Sequence, residues 1–325
     1  MADGILILVE HLKGEVADIT YEMLGAGRRL ADERGMALRA LLVGNDVAPL
    51  AATLGAADEV LVVSAPALAV PAASSLAAML KDLMVQESVG LVMIAATNAT
   101  MGIGSILSAR ADLPFVSYCT NVKADGADLL VTSQLFGGKI LTDVRLPGGR
   151  GILGVYPGSF PADAGRSEKT APVRTLAPAL ESSPVVFKAF IPPPEGDVDI
   201  TKQAILVAVG RGIQTQDNIS LGEELATLLG GAVCGSRPVI DQGWLPMTRQ
   251  VGKSGMTVKP RLYLALGISG APEHQEGMKD SPMIIAVNTD ADAPIFGVAK
   301  YGVVMDLFEL VEPLKAAIEA RKAGA

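Results

Sequence analysis

Arg261-Leu262-Tyr263-Leu264-Ala265-Leu266-Gly267-Ile268-Ser269-Gly270 is an apolar run that ends abruptly in small and polar residues, and Met283-Ile284-Ile285-Ala286-Val287-Asn288 repeats the arrangement. The length and aliphatic content of both runs suit buried parallel strands better than amphipathic helices. In an open parallel sheet a ligand lies across the carboxyl ends of the strands. There glycine lets the backbone approach, and free N–H groups face anionic oxygens. The stretch Ser236–Asn288 also holds Ser236-Arg237-Pro238 and Gln250-Val251-Gly252-Lys253-Ser254-Gly255. The chain is organised around this strand-end edge.

Outward from it, the second half reads as five strands: Ala204–Val209, Ala232–Gly235, Arg261–Leu266, Met283–Val287 and Tyr301–Met305, with helical stretches such as Ile219–Leu229 between them. They end at Gly210-Arg211, Ser236-Arg237, Gly267-Ile268-Ser269-Gly270, Asn288 and Asp306. Each ending alone is a common turn or cap. Gly210-Arg211-Gly212 suits many turns, and Asp306 suits equally the cap of a helix from Leu307 to Ala320 or a contact to a ribose. Converging on one edge, they form a grip for a long nucleotide.

The first half opens with a βαβ unit: Ile5–Val9, a helix over Ala17–Arg34, and Leu38–Val43. Val60–Val63 and Leu91–Ala95 add buried strands, with helices over Ser74–Glu87 and Gly102–Arg110. Past Pro114, four strand-like runs (Phe115–Val122, Leu129–Leu135, Lys139–Arg145, Gly151–Tyr156), separated by Gly126 and Gly137-Gly138, read as hairpins extending the sheet. His11 has no partner at metal-ligand spacing, and the Asn98–Gly104 turn departs from a phosphate loop; both read as scaffold. Ile191–Asp199, with Pro192-Pro193-Pro194, reads as a stiffened boundary. The fold class is α/β in two domains. A parallel-sheet domain extended by hairpins spans 1–190, a linker 191–199, and a doubly wound parallel-sheet domain 200–325.

The chain has 325 residues, half of them hydrophobic but only 4% aromatic. That length suits two cores built from Ala, Val, Leu and Ile. A net charge of −8 repels a phosphate backbone and an anionic membrane surface, so neither a nucleic acid nor stable membrane insertion is expected. Cys119 and Cys234 are two thiols in separate halves, which suits a reducing cytoplasm and neither a disulfide framework nor a zinc site.

The second half closely resembles the alpha subunit of the electron transfer flavoproteins. The likeness rests on Val209-Gly210-Arg211-Gly212, Ser236-Arg237-Pro238, Gln250-Val251-Gly252, Leu262–Ala271, His274, Gly277-Met278-Lys279-Asp280-Ser281, Ala293-Pro294-Ile295-Phe296 and Tyr301-Gly302. The resemblance implies FAD on this chain and a beta subunit as heterodimer partner, which holds AMP or a second FAD. The chain would be an electron carrier without a chemical substrate of its own. It would take electrons from dehydrogenases and pass them, through the anionic semiquinone, to a quinone reductase or another acceptor. An electron-bifurcating, NADH-using complex and an NAD-linked oxidoreductase are the alternatives, although the Gly-x-Gly-x-x-Gly fingerprint of NAD sites is missing.

Carried over residue by residue, the FAD contacts fall on Arg211, Ser236, Arg237, Gln250, Val251, Gly252, Lys253, Ser254, Ser269, Gly270, Ala271, Pro272, Glu273, His274, Asn288, Asp306 and Leu307. Arg237 and His274 would face the negative charge of the reduced ring, Ser254 its N5 atom, and Gln250 the ribityl chain or ring edge. Ser269 and Gly270 would hold the pyrophosphate, with Asn288 and Asp306 towards the adenosine end. The sequence departs from the family pattern at Lys253, Ser254, Pro272 and Glu273. Of these, Ser254 keeps a hydroxyl, Lys253 adds a cation near the cofactor, and Glu273 is expected to favour the charged form of His274.

Overall fold

The computed structural model describes residues 4–181, 185, 187–190 and 197–323, in two compact units, Met1–Ala189 and Phe190–Ala325. In the first, β1 (Gly4–Leu8), α1 (Asp18–Arg34) and β4 (Leu38–Gly44) form the expected βαβ unit. A small hairpin, β2 (His11–Leu12) with β3 (Glu15–Val16), lies between β1 and α1. Helix α1 ends because Gly35 takes a left-handed conformation at φ 64° and returns its N–H to the Ala31 carbonyl. Then follow β5 (Glu59–Ser64), α2 (Ala73–Gln86), β6 (Val89–Ala95) and α3 (Ile103–Ala111). The strands are buried from end to end or nearly so, as strands covered on both faces must be.

Past Pro114, β7 (Phe115–Asp125), β8 (Asp128–Leu135) and β9 (Ile140–Leu146) are antiparallel neighbours at one end of the sheet. The fourth run differs from expectation. Rather than making another hairpin, β10 (Gly151–Val155) returns into the middle of the sheet, parallel to both β6 and β7. All its residues are buried, and an edge hairpin would have left them in water. A short strand the sequence did not suggest, β11 (Val173–Thr175), pairs with β5, giving the order β11-β5-β4-β1-β6-β10-β7-β8-β9. His11 Nε2 bonds the Val43 carbonyl at 2.8 Å, a packing role.

The second unit has five parallel strands: β12 (Ile205–Val209), β13 (Ala232–Gly235), β14 (Leu262–Leu266), β15 (Ile284–Asn288) and β16 (Tyr301–Val304), ordered β13-β12-β14-β15-β16. Alternation along the strands splits their side chains between two cores. Val207, Val209, Val233, Leu264 and Leu266 pack under α4 (Ile219–Leu229) and α7 (Leu307–Ala323). Ala208, Cys234, Tyr263 and Ala265 pack against Val251, Val258 and Met278 on the other face. Two further short helices, α5 (Arg237–Asp241) and α6 (Pro272–Glu276), follow β13 and β14. After β12 the chain steps to one side to form β13 and then crosses to the other side to form β14. The crevice at the carboxyl ends of β12 and β14 is therefore the topological switch point, where such sheets bind ligands.

Of the expected linker, residues 191–196 lie outside the described residues. Asp197 accepts hydrogen bonds from Thr248 and the Arg249 guanidinium, which also donates to the Val233 carbonyl at 2.7 Å. Burial pushes the Asp197 carboxyl up, but Thr248 and Arg249 outweigh it and hold it below the usual carboxylate range. A depressed folded pKa contributes stability that is present above the unfolded value near 4 and lost as pH falls through the folded one. Asp197→Asn should cost about 1–2 kcal/mol at neutral pH, and the difference from wild type should vanish towards about pH 2. Thermal melts at several pH values measure this; an equal deficit at all of them would mean the charge contributes nothing.

Candidate functional site

A cavity of about 750 Å³ opens at the switch point, within the range of small-molecule and cofactor sites. Four strand ends supply its walls: Arg211 and Gly212 after β12, Ser236 and Arg237 after β13, Gly267 to Ala271 after β14, and Asn288 at the end of β15. The Gln250–Ser254 loop, Glu273 and His274 complete it. Thus Arg211, Ser236, Arg237, Gln250, Val251, Gly252, Lys253, Ser254, Ser269, Gly270, Ala271, Glu273, His274 and Asn288 come together. Pro272, Asp306 and Leu307 lie outside the lining. Pro272 opens α6, Asp306 accepts the Phe308 N–H at 3.0 Å ahead of α7, and Leu307 is buried in the core beneath that helix. Gly212, Pro238, Asp241, Gly267 and Ile268 also line the cavity. Asp241, which the sequence did not single out, lies four residues beyond Arg237 on α5 and forms an ion pair with it at 3.3 Å.

The polar groups are arranged as donors. Among the described residues, the consecutive backbone N–H groups of Ser269, Gly270 and Ala271 make no hydrogen bond to a backbone or side-chain acceptor. Gly270 has φ 83°, and a Cβ there would sit 2.3 Å from the Ile295 nitrogen. Only glycine therefore carries the chain through this turn. Gln250, 2% exposed, donates through Nε2 to Ser254 Oγ at 2.9 Å, so the Ser254 hydroxyl keeps its proton to donate elsewhere. Asn288 bonds the Ile268 carbonyl and the Asp290 N–H, both at 2.9 Å, tying the β14 and β15 ends together. The Lys253 ammonium stands 3.8 Å from the Glu276 carboxylate, which offsets part of its charge.

His274 departs from expectation. It is 6% exposed, and burial lowers its pKa to about 4. The imidazole is therefore neutral at physiological pH, and Glu273, whose side chain is exposed, is not among the influences on it. Desolvation within the ring's own packing outweighs an acidic neighbour in the sequence.

Three unpaired backbone donors, an orienting amide, a donating hydroxyl and a guanidinium around one crevice fit a large anionic cofactor with a polar ring, so the fold and site define a nucleotide-cofactor-binding protein. The model of the electron transfer flavoprotein domain matches residues 5–181, and that of the electron transfer flavoprotein FAD-binding domain matches residues 199–279. The chain is 33% identical to the electron transfer flavoprotein subunit alpha of Clostridium acetobutylicum, over 98% of this chain and 97% of that one. It is 37% identical to Protein FixB of Clostridium saccharobutylicum, over 98% of each. It is 34% identical to the acryloyl-CoA reductase electron transfer subunit beta of Anaerotignum propionicum, over 98% of this chain and 96% of that one. The chain belongs to the electron transfer flavoprotein family, as an alpha subunit whose second unit is the FAD-binding domain. A beta subunit as partner follows from that membership. No helix among the described residues is long and apolar enough to cross a membrane.

Proposed function

We propose that FAD is held across the β12/β14 switch point, with its pyrophosphate on the Ser269–Ala271 N–H groups and its ring among Arg237, Gln250, Ser254 and His274. The observation that carries this reading is the run of three consecutive N–H groups without an acceptor at the cavity wall. Bound FAD supplies reversible one-electron chemistry that protein side chains lack. Arg237 offsets negative charge arriving on the ring, Ser254 donates a hydrogen bond, and Gln250 fixes the direction of that hydroxyl. Asn288 holds the two strand ends at the spacing the cofactor needs, and Asp306 acts as a helix cap. Within its heterodimer the chain carries electrons from dehydrogenases to an acceptor such as a quinone reductase, in the cytoplasm.

The visible spectrum of the complex purified with its beta subunit tests this. A flavin spectrum that bleaches with dithionite but not with NADH is the expected result. Bleaching by NADH would place the complex among oxidoreductases or bifurcating assemblies, and a colourless complex would refute the reading.

A further inference from the structure

We infer that Tyr263 is a positioning residue, which fixes His274 as the neutral tautomer carrying its proton on Nδ1 and so makes that nitrogen the donor available to the cavity. The inference rests on the FAD reading for the identity of the acceptor, but not for the tautomer. Tyr263 lies on β14, the central strand of its sheet, and is wholly buried. A tyrosine of mere packing value gains nothing from a hydroxyl there, since burying an unpaired one costs free energy. This hydroxyl instead meets His274 Nε2 at 3.0 Å. Tyr263 on β14 and His274 on α6 thus form a dry pair.

The direction of that bond follows from donor and acceptor strengths. The imidazole lone pair is a strong acceptor, and a buried phenol that accepted from the ring instead would leave its own proton unpaired. The stronger pairing has the phenol donating to Nε2. A neutral imidazole holds one N–H, so with Nε2 as acceptor the proton resides on Nδ1. Nδ1 is buried and makes no hydrogen bond, on a residue that lines the cavity. An N–H kept dry and unpaired is suited to a carbonyl acceptor brought by the ligand. Because burial keeps the ring neutral, it stabilises charge on that ligand as a hydrogen-bond donor rather than as a cation.

The chain has two histidines, so nitrogen-15 spectra of imidazole groups in the assembled complex resolve the question, with His274 signals assigned by their loss in His274→Asn. His11 is an internal reference, since its Nε2 faces a carbonyl and must carry the proton. The expected wild-type result is a protonated Nδ1 and an unprotonated Nε2 on His274, the reverse of His11. Tyr263→Phe keeps the ring's packing and removes the hydroxyl. It should retain FAD, mix the two tautomers, and shift the equilibrium for the first electron about fivefold toward oxidised flavin, the loss of one neutral hydrogen bond. A wild-type His274 protonated on Nε2, or a Tyr263→Phe complex with unchanged imidazole signals and potential, overturns the inference. The wild-type spectrum decides the tautomer even if the variant does not fold. A complex without flavin would refute the cofactor reading, while the imidazole signals would still decide the role of Tyr263.

Discussion

Arg237→Ala should keep its FAD and lower the potential for the first electron by about 60–130 mV. A charge-assisted hydrogen bond contributes roughly 1.5–3 kcal/mol, and a tenfold change in a one-electron equilibrium is about 59 mV. The sign follows because the first electron adds negative charge and the guanidinium is a cation, so removing it disfavours reduction. Arg237 lines the cavity, but its side chain is 68% exposed and lies 3.3 Å from Asp241. Solvent and that carboxylate both weaken it, which points to the lower part of the range. Arg237→Lys should fall between alanine and wild type, since it keeps the charge and loses the planar fork. Spectroelectrochemical titration of the complex measures all three. An unchanged potential in the alanine variant would remove Arg237 from the site and shift its role towards Lys253.

A second large effect is expected in a residue with no side chain. Gly210 follows β12, and a Cβ built there would stand 2.2 Å from the Gly267 carbonyl oxygen and 2.7 Å from Ile268 Cα. Its own backbone, at φ −106° and ψ −176°, is open to any residue, so the requirement comes from contact rather than conformation. The loops after β12 and β14 meet backbone to backbone, with the Gly212 N–H donating to the Gly267 carbonyl at 3.0 Å. Backbone atoms cannot rotate aside as a long side chain would. Gly210→Ala should therefore destabilise the second unit by about 3 kcal/mol, the upper end of overpacking costs, and lower its melting temperature by roughly 10 °C. It should also loosen FAD by parting the walls of the crevice. A melting curve within about 2 °C of wild type would show that the loops separate freely.

Much of this arrangement was legible in the sequence, for a physical reason. A strand covered on both faces has to be aliphatic throughout, so β12, β14 and β15 announce themselves, and the small or polar residues after them mark the edge where a ligand binds. What the sequence hid was non-local. Gly151–Val155 carries turn residues before it like any hairpin strand, and nothing in its own residues says that it returns between β6 and β7. Val173–Thr175 is exposed along its length and has no pattern to read. For Asp306, cap and ribose contact were equally open from the sequence; the structure shows the cap's hydrogen bond. Glu273 and His274 are adjacent in the chain, yet charge depends on burial, which adjacency does not encode. Tyr263 read only as one more apolar residue in a strand, because its value lies in what its hydroxyl meets on α6.

The two thiols of this chain are set apart from its redox work. Cys119 lies within the first core and Cys234 within the second, and both are buried. Burial pushes each thiol up to about 12, so at neutral pH both stay as thiols rather than thiolates, the form that reacts with peroxides and disulfides. A reduced flavin open to oxygen generates such oxidants beside its own protein. The aliphatic interior that builds the sheets therefore also acts as chemical insulation, leaving the carrier no thiol through which its electrons could leak or its surface be scarred.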